Sequence, residues 1–324
     1  VPANLPPQYF EAEREYREAK TPEEKIAALE EMLAIMPHHK GTDHLRADLR
    51  TRIAKLTQMM GKKGGAARTS MLIDKEGAAQ VAVIGLTNSG KSQLVGAITN
   101  ASPLVADYPF VTQTPLPGMM KFENIQIQLI DTPPLAPQTL QWWMPHMFRR
   151  ADALLIVLDL SQDPRAQVAE ILGYLHRMRI DIGIGNVDPE AVLSRKKAII
   201  VGNKVDLPGA QSNYTALQNA YNGKLPLVAI SARDRVGLEE LKRSVFQMLG
   251  IIRVYTKAPG QKPDYDDPIV LPKGSTLADA AAVVHKDFLA KMKYARLWGS
   301  GKHDGIMVKR DHVLQDGDVI ELHI

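Results

Sequence analysis

The sequence predicts an α/β fold: a mostly parallel sheet flanked by helices, preceded by a helical region and followed by a small β-rich region. Three observations lead there. Apolar residues recur at helical spacing before the first Gly-rich joint at Gly61-Lys62-Lys63-Gly64-Gly65. Five short apolar runs then alternate with helical stretches: VAVIG at 81–85, IQIQLID at 125–131, ALLIVLDL at 153–160, AIIVGN at 198–203 and LVAISA at 227–232. After Ile252 the texture changes to Pro-rich loops, short strands and one capped helix. The expected parts are 1–77, 78–252 and 253–324.

Composition bounds the function classes. The 324 residues leave room for two or three domains, and the net charge of +4 is mild. With no cysteine, the chain has no disulfide framework, thiolate metal site or Cys catalysis, which fits a reducing cytosol. No apolar run approaches the ~20 residues that span a bilayer. The N-terminal VPANLPPQYFEAERE is too acidic for a secretory signal, so a cytoplasmic protein without a membrane partner is expected. Charge placement is uneven. Lys40, Arg46, Arg50, Arg52, Lys55, Lys62, Lys63 and Arg68 are opposed only by Asp43 and Asp48. Such a stripe attracts a polyanion or is simply a solvated helix face.

In chain order, Thr21-Pro22-Glu23-Glu24 is a capping box with Pro at the first helical position. Ile26, Leu29, Leu33 and Met36 mark one apolar stripe, and Leu45, Leu49, Ile53 and Leu56 a second, giving a helical hairpin. His38, His39 and His44 cluster in a basic, loop-rich stretch without a carboxylate or thiol to complete a metal site, and read as surface residues. The all-apolar runs suit strands buried on both faces, whereas IQIQLI alternates and suits an edge strand. Trp142-Trp143 reads as a packing anchor or an effector-docking element. Near the C-terminus, Ser275 or Thr276 caps a helix, and two short strands flank a turn at Gln315-Asp316-Gly317-Asp318.

The loops between these runs carry the chemistry. Gly85-Leu86-Thr87-Asn88-Ser89-Gly90-Lys91-Ser92 matches G-x-x-x-x-G-K-[ST], after a strand and opening a helix. Its backbone amides close around phosphates, Lys91 charges the β/γ oxygens and the Ser92 hydroxyl ligates Mg²⁺; Gln93 is grouped with this nucleotide-binding set. Asp131 ends the next strand and suits the second Mg²⁺ anchor, through water. In Asn203-Lys204-Val205-Asp206, one carboxylate, Asp206, accepts both guanine N1–H and the 2-amino group, a donor pair adenine lacks. Asn203 ties the loop in place, the Lys204 stem covers the base plane, and Ser231-Ala232 offers a backbone N–H to guanine O6. These pieces in this order predict a GTP site. Between them, Thr112, or else Thr114, is expected to close on Mg²⁺ and the γ-phosphate.

With these motifs in place, YPFVTQTPLPG and the run from IIRVYTKAPGQKPDYDDPIVLP to RDHVLQDGDVIELHI resemble developmentally regulated GTP-binding proteins of the Obg-like group. The resemblance implies a P-loop GTPase domain, a C-terminal TGS domain of β-grasp fold, and a GTP/GDP-controlled switch acting on a ribosome- or RNA-containing partner in translation. A dedicated protein cofactor in place of RNA is the alternative. Two departures stand out. The family commonly carries an extra domain between the positions of Asp131 and Asn203, whereas this chain has the spacing of a plain G domain. The family also usually has Gly where this chain has Pro134, which has no N–H for the γ-phosphate. At the next position, where many GTPases keep a water-orienting Gln, stands Leu135. A hydrophobic residue there is shared by many relatives. Asn88 resembles the potassium-dependent members of the class, which implies a K⁺ ion beside the phosphates and slow intrinsic turnover stimulated by K⁺. The catalytic assignments are thus Lys91, Asn88 and Thr112. A GTP sensor that does not hydrolyse is the outcome if Pro134-Leu135 is decisive.

Overall fold

The computed structural model describes residues 5, 7–36, 42–61, 73–99, 114–141, 143–184, 192, 194–285, 288–289, 292–301 and 303–323. Three helices come first: α1 (Pro7–Glu18), α2 (Pro22–Ile35) and α3 (Asp43–Gly61). The capping box forms as the sequence indicates, with Glu24 N donating to Thr21 Oγ1 and the Glu24 carboxylate accepting from Thr21 N. Tyr9, Ala12, Leu29, Met32, Met36 and Leu49 make a core of their own. Arg46 departs from the expected basic stripe. It is buried and donates to Leu33 O and Met36 O, satisfying carbonyls at the end of α2. Arg50, Arg52 and Lys55 are exposed, with Arg52 paired to Asp48. Lys40, Lys62, Lys63 and Arg68 lie outside the described residues. No helix among the described residues is long and apolar enough to cross a membrane.

The central α/β unit runs β1 (Ala79–Ile84), α4 (Lys91–Ile98), β2 (Leu116–Phe122), β3 (Ile125–Asp131), α5 (Met144–Arg150), β4 (Ala153–Asp159), α6 (Pro164–Arg177), β5 (Ile180–Asp181), β6 (Ser194–Arg195), β7 (Lys197–Asn203), α7 (Ala210–Tyr221), β8 (Leu227–Ala229) and α8 (Leu238–Leu249). Six strands form one sheet in the order β2-β3-β1-β4-β7-β8, parallel except for β2, while β5 and β6 pair separately. Alternate residues feed two cores. Val81 and Val83 pack with Leu94, Ile98 and Leu241, whereas Ala82 and Ile84 pack with Trp143, Phe148 and Ile171. Burial on both faces explains the unbroken apolar runs.

The expected edge strand is not at the edge. β3 lies between β2 and β1, and the edge is β2, whose LPGMMKF carries a Pro and a Gly without a clean alternation. An edge strand tolerates both residues because one side of its backbone needs no partner.

The C-terminal unit contains β9 (Ile251–Thr256), β10 (Asp264–Pro272), α9 (Leu277–Val284), β11 (Tyr294–Trp298), β12 (Ile306–Val308) and β13 (Asp318–His323), with sheet order β10-β9-β13-β11-β12. Thr276 caps α9 through a box with Asp279. The last two strands are not a hairpin: β11, absent from the sequence reading, lies between them. The two sheets meet where the β2–β3 turn reaches β9. Phe122 and Phe246 stack at 4.9 Å, and Arg253 covers Phe246 while pairing with Asp316 at 2.7 Å and with Glu123. Asn124 donates to Tyr255 Oη at 2.6 Å.

Candidate nucleotide site

Sheet register sets the site. Val83 pairs with Asp131 and Asp159 with Asn203, so the carboxyl ends of β1, β3, β4 and β7 open on one rim, where open α/β sheets bind ligands. Residues 85–90 join β1 to α4 along that rim. A side chain at Gly85 would place its Cβ 2.4 Å from Val157 O, and Gly90 sits at φ +90°, so both positions need glycine. Asn88, at φ +59° and exposed, occupies a left-handed conformation that Asn tolerates. Ser92 and Gln93 are exposed at the head of α4.

Lys91 is buried and folds back over the loop, donating to Gly85 O at 3.2 Å and Leu86 O at 2.9 Å. Burial pushes its ammonium down to about 8, against the opposing pull of Asp131. Burial likewise raises the Asp131 carboxyl, with Ser92 and Lys91 pulling the other way. Among the described residues, Asp131 Oδ1 is buried with no hydrogen-bond partner. A buried carboxylate oxygen without a partner beside a serine hydroxyl is a hard-oxygen donor set, and it fits Mg²⁺.

On the base side, Asn203 Nδ2 donates to Ser89 O at 2.9 Å and Asn203 Oδ1 accepts from Ala232 N at 3.0 Å. One carboxamide therefore links the phosphate loop to the Ser231-Ala232 loop. Lys204, at φ +67°, points its ammonium to Asp159 Oδ2 at 2.6 Å. The hydroxyl of Ser231 and the charge of Arg233, 2.8 Å away, hold the Asp206 carboxyl below its usual range.

The segment after Asp131 is tied inward. Thr132 Oγ1 donates to Val83 O, Leu135 N donates to Gly85 O at 3.0 Å, and Thr139 Oγ1 donates to Pro134 O. The Leu135 side chain is fully buried against the core that holds Trp143, Met147 and Phe148. No water-orienting group stands at this position. Trp143 is a packing anchor, while Trp142 and Thr112 lie outside the described residues. Thr114 is exposed just before β2.

Sequence reasoning missed what α5 touches. Arg149 reaches Glu31 through Nε and Nη2, both at 2.6 Å, and Glu15 at 3.4 Å, while His146 Nδ1 lies 2.8 Å from Glu31. Glu15, Glu31 and His146 lie close enough to suggest a cation site, but the Arg149 guanidinium supplies the positive charge. Burial opposes ionisation of Glu31, yet His146 and Arg149 keep its carboxyl low; burial instead raises Glu15. Lys196 donates to Arg149 O and to Ala151 O, fixing the end of α5. In the sequence Glu31 is one acid among several on α2, so nothing singles it out. Asp159 did carry a signal: it is the lone acid within ALLIVLDL.

Known proteins resemble the chain along its length. Residues 80–186 match the family described as 50S ribosome-binding GTPase, and residues 252–324 match the TGS domain. An uncharacterized GTP-binding protein of Methanocaldococcus jannaschii is 27% identical, over 93% of this chain and 93% of the relative. Developmentally-regulated GTP-binding protein 1 of Xenopus laevis is 28% identical, over 92% of this chain and 98% of its own length. That alignment runs over 360 residues against 324 in this chain, so the relative has stretches that this chain lacks. Among solved structures, the Schizosaccharomyces pombe YchF GTPase superposes with a TM-score of 0.56 at 13% identity, covering 77% of this chain and 99% of that one. A GTP-binding protein from Pyrococcus horikoshii OT3 gives 0.52 at 17% identity, covering 75% and 99%. These two likenesses show the fold. The chain therefore carries a P-loop domain that matches a GTPase family, followed by a TGS domain, and resembles the developmentally regulated GTP-binding proteins.

Proposed function

We propose that the chain is a GTP-hydrolysing switch in three parts, 1–77, 78–252 and 253–324, whose nucleotide state is passed to the N-terminal helices through α5. The observation that supports this is the chain of contacts from the phosphate loop. Gly85 accepts from Leu135 N, Leu135 packs on Met147 and Phe148 of α5, and Arg149 of α5 is paired with Glu31 and Glu15 of the N-terminal helices. Movement of residues 131–148 on exchanging GTP for GDP is then felt at α1 and α2.

At the site itself, the amides of 85–92 and the Lys91 ammonium hold the phosphates, and Asp206 reads guanine. Ser92 and Asp131 would hold Mg²⁺, with Thr112 or Thr114 from the preceding segment, and the metal when bound would offset negative charge on the phosphates. Water attacks the γ-phosphorus, the bond to the bridging oxygen breaks, and GDP, phosphate and a proton leave. Leu135 faces the core and takes no part. Asn88 would hold a K⁺ ion where charge accumulates, giving slow turnover stimulated by K⁺. The test is steady-state GTP hydrolysis in K⁺ and in Na⁺ at equal ionic strength, for wild type and Asn88→Ala. K⁺ stimulation lost in the variant supports the reading; equal rates in both salts with GTP still bound would sink it.

The partner that fits is RNA in a ribosomal setting, contacted through the exposed Arg50, Arg52 and Lys55 of α3. The burial of Arg46 thins this basic face and favours a second reading, in which a protein cofactor binds and RNA is not touched. Salt-sensitive binding to ribosomes, weakened by Lys55→Glu, supports the first; binding indifferent to both supports the second.

A further inference from the structure

We infer that Asp159 is a positioning residue for the guanine base: by pinning the Lys204 ammonium, it holds the lysine stem as a fixed wall of the base pocket. The inference rests on the reading of Lys204 as the residue that covers the base plane.

Asp159 ends β4, where it pairs in register with Asn203, the residue before Lys204. It is 4% exposed, and every polar atom of the residue is engaged. Gln167 of α6 clamps its backbone from both sides, with Oε1 accepting from Asp159 N at 2.9 Å and Nε2 donating to Asp159 O at 2.8 Å. Oδ1 accepts from Ser161 N at 2.9 Å and from Ser161 Oγ at 2.7 Å. With these bonds fixing the carboxylate plane, Oδ2 meets the Lys204 ammonium at 2.6 Å.

The arrangement does more than neutralise a buried acid. Ser161 and Gln167 lie in the turn and helix that follow β4, whereas Lys204 comes from the loop that carries Asp206. A lysine side chain has large rotamer entropy, and a group ordered before binding does not lose it on binding. The backbone of Lys204, at φ +67°, leaves the line of β7 at this residue and starts the loop that carries Asp206. Pinning the ammonium thus fixes the stem beside the carboxylate that reads guanine. Because GTP and GDP share the base, the effect is equal for both.

The test measures GDP and GTP affinity, and KM and kcat for GTP, in wild type, Asp159→Asn, Lys204→Met and the double variant. The asparagine keeps the Ser161 bonds but loses the ion pair. Asp159→Asn should weaken both nucleotides by the same factor, about tenfold, the size expected for one charge-assisted bond. KM should rise while kcat holds, because the base contact is the same in ground and transition states. In the Lys204→Met background the Asp159 change should add nothing. Wild-type affinity in Asp159→Asn overturns the inference, as does an undiminished loss in the Lys204→Met background, which would assign the effect to folding of β4 and α6. Wild-type affinity in Lys204→Met alone would instead overturn the reading of Lys204.

Discussion

Replacing Lys91 with Met in protein stripped of nucleotide changes how stability depends on pH, and the structure sets the sign and size. Lys91 is 6% exposed, and burial takes the pKa of its ammonium from the ordinary 10.5 down to about 8. Each unit corresponds to about 1.4 kcal/mol, so the full difference is worth about 3 kcal/mol. The folded-state value lies below the unfolded one. Below pH 8 both states hold the proton and the folded state bears the whole penalty of a buried charge. Between about pH 8 and 10.5 the unfolded chain holds the proton that the folded chain releases, so stability rises with pH. The methionine has no proton to lose. Its loss of the bonds to Gly85 O and Leu86 O adds an offset that does not vary with pH. The assay is urea unfolding of both proteins at half-unit steps from pH 7 to 10, reading the difference between them, which cancels the other titrating groups. The wild-type stability should climb relative to Lys91→Met by about 2–3 kcal/mol across the window. With GDP and Mg²⁺ present, the phosphate charges restore the ammonium and the climb should vanish. A flat difference from pH 7 to 10 without nucleotide would refute the account of a desolvated lysine.

Two further outcomes are expected. Leu135→Gln restores the residue type many GTPases use to orient water, yet it should cost about 2–4 kcal/mol and leave GTP turnover no faster, because position 135 faces the core rather than the rim; a faster enzyme would show that this segment turns outward. Arg149→Met strands the Glu31 and Glu15 carboxylates in a largely buried cluster and should cost about 3–5 kcal/mol, most of it recovered by adding Glu31→Gln, as read by urea unfolding.

What the sequence disclosed was local, and what it concealed was tertiary. The phosphate loop is legible because one short segment contains its glycines, its lysine and the helix it opens. The strand ends carrying Asp131 and Asn203 are legible because an alternating run and an all-apolar run stop at polar residues there. β2 escaped because Pro117 and Gly118 argue against a strand unless the strand is known to be at the edge. Arg46 looked like surface charge because nothing local shows that the end of α2 needs donors from α3. The α5 cluster was illegible for a similar reason. Its partners are separated by more than 100 residues, and each, seen alone, is an ordinary acid or base on a helix.

The Arg253 clamp gives the edge strand a mechanical meaning. β2 begins at Leu116, beside Asp131 on the nucleotide rim, and ends at Phe122, next to the turn that Arg253 and Tyr255 grip from the TGS sheet. Seven residues of strand reach about 20 Å. A pull on the chain just before Leu116 runs along an extended rod, braced by β3 on a single side, and arrives at the foot of the C-terminal sheet. Two elements thus tie the nucleotide rim to its neighbours, α5 to the N-terminal helices and β2 to the C-terminal sheet.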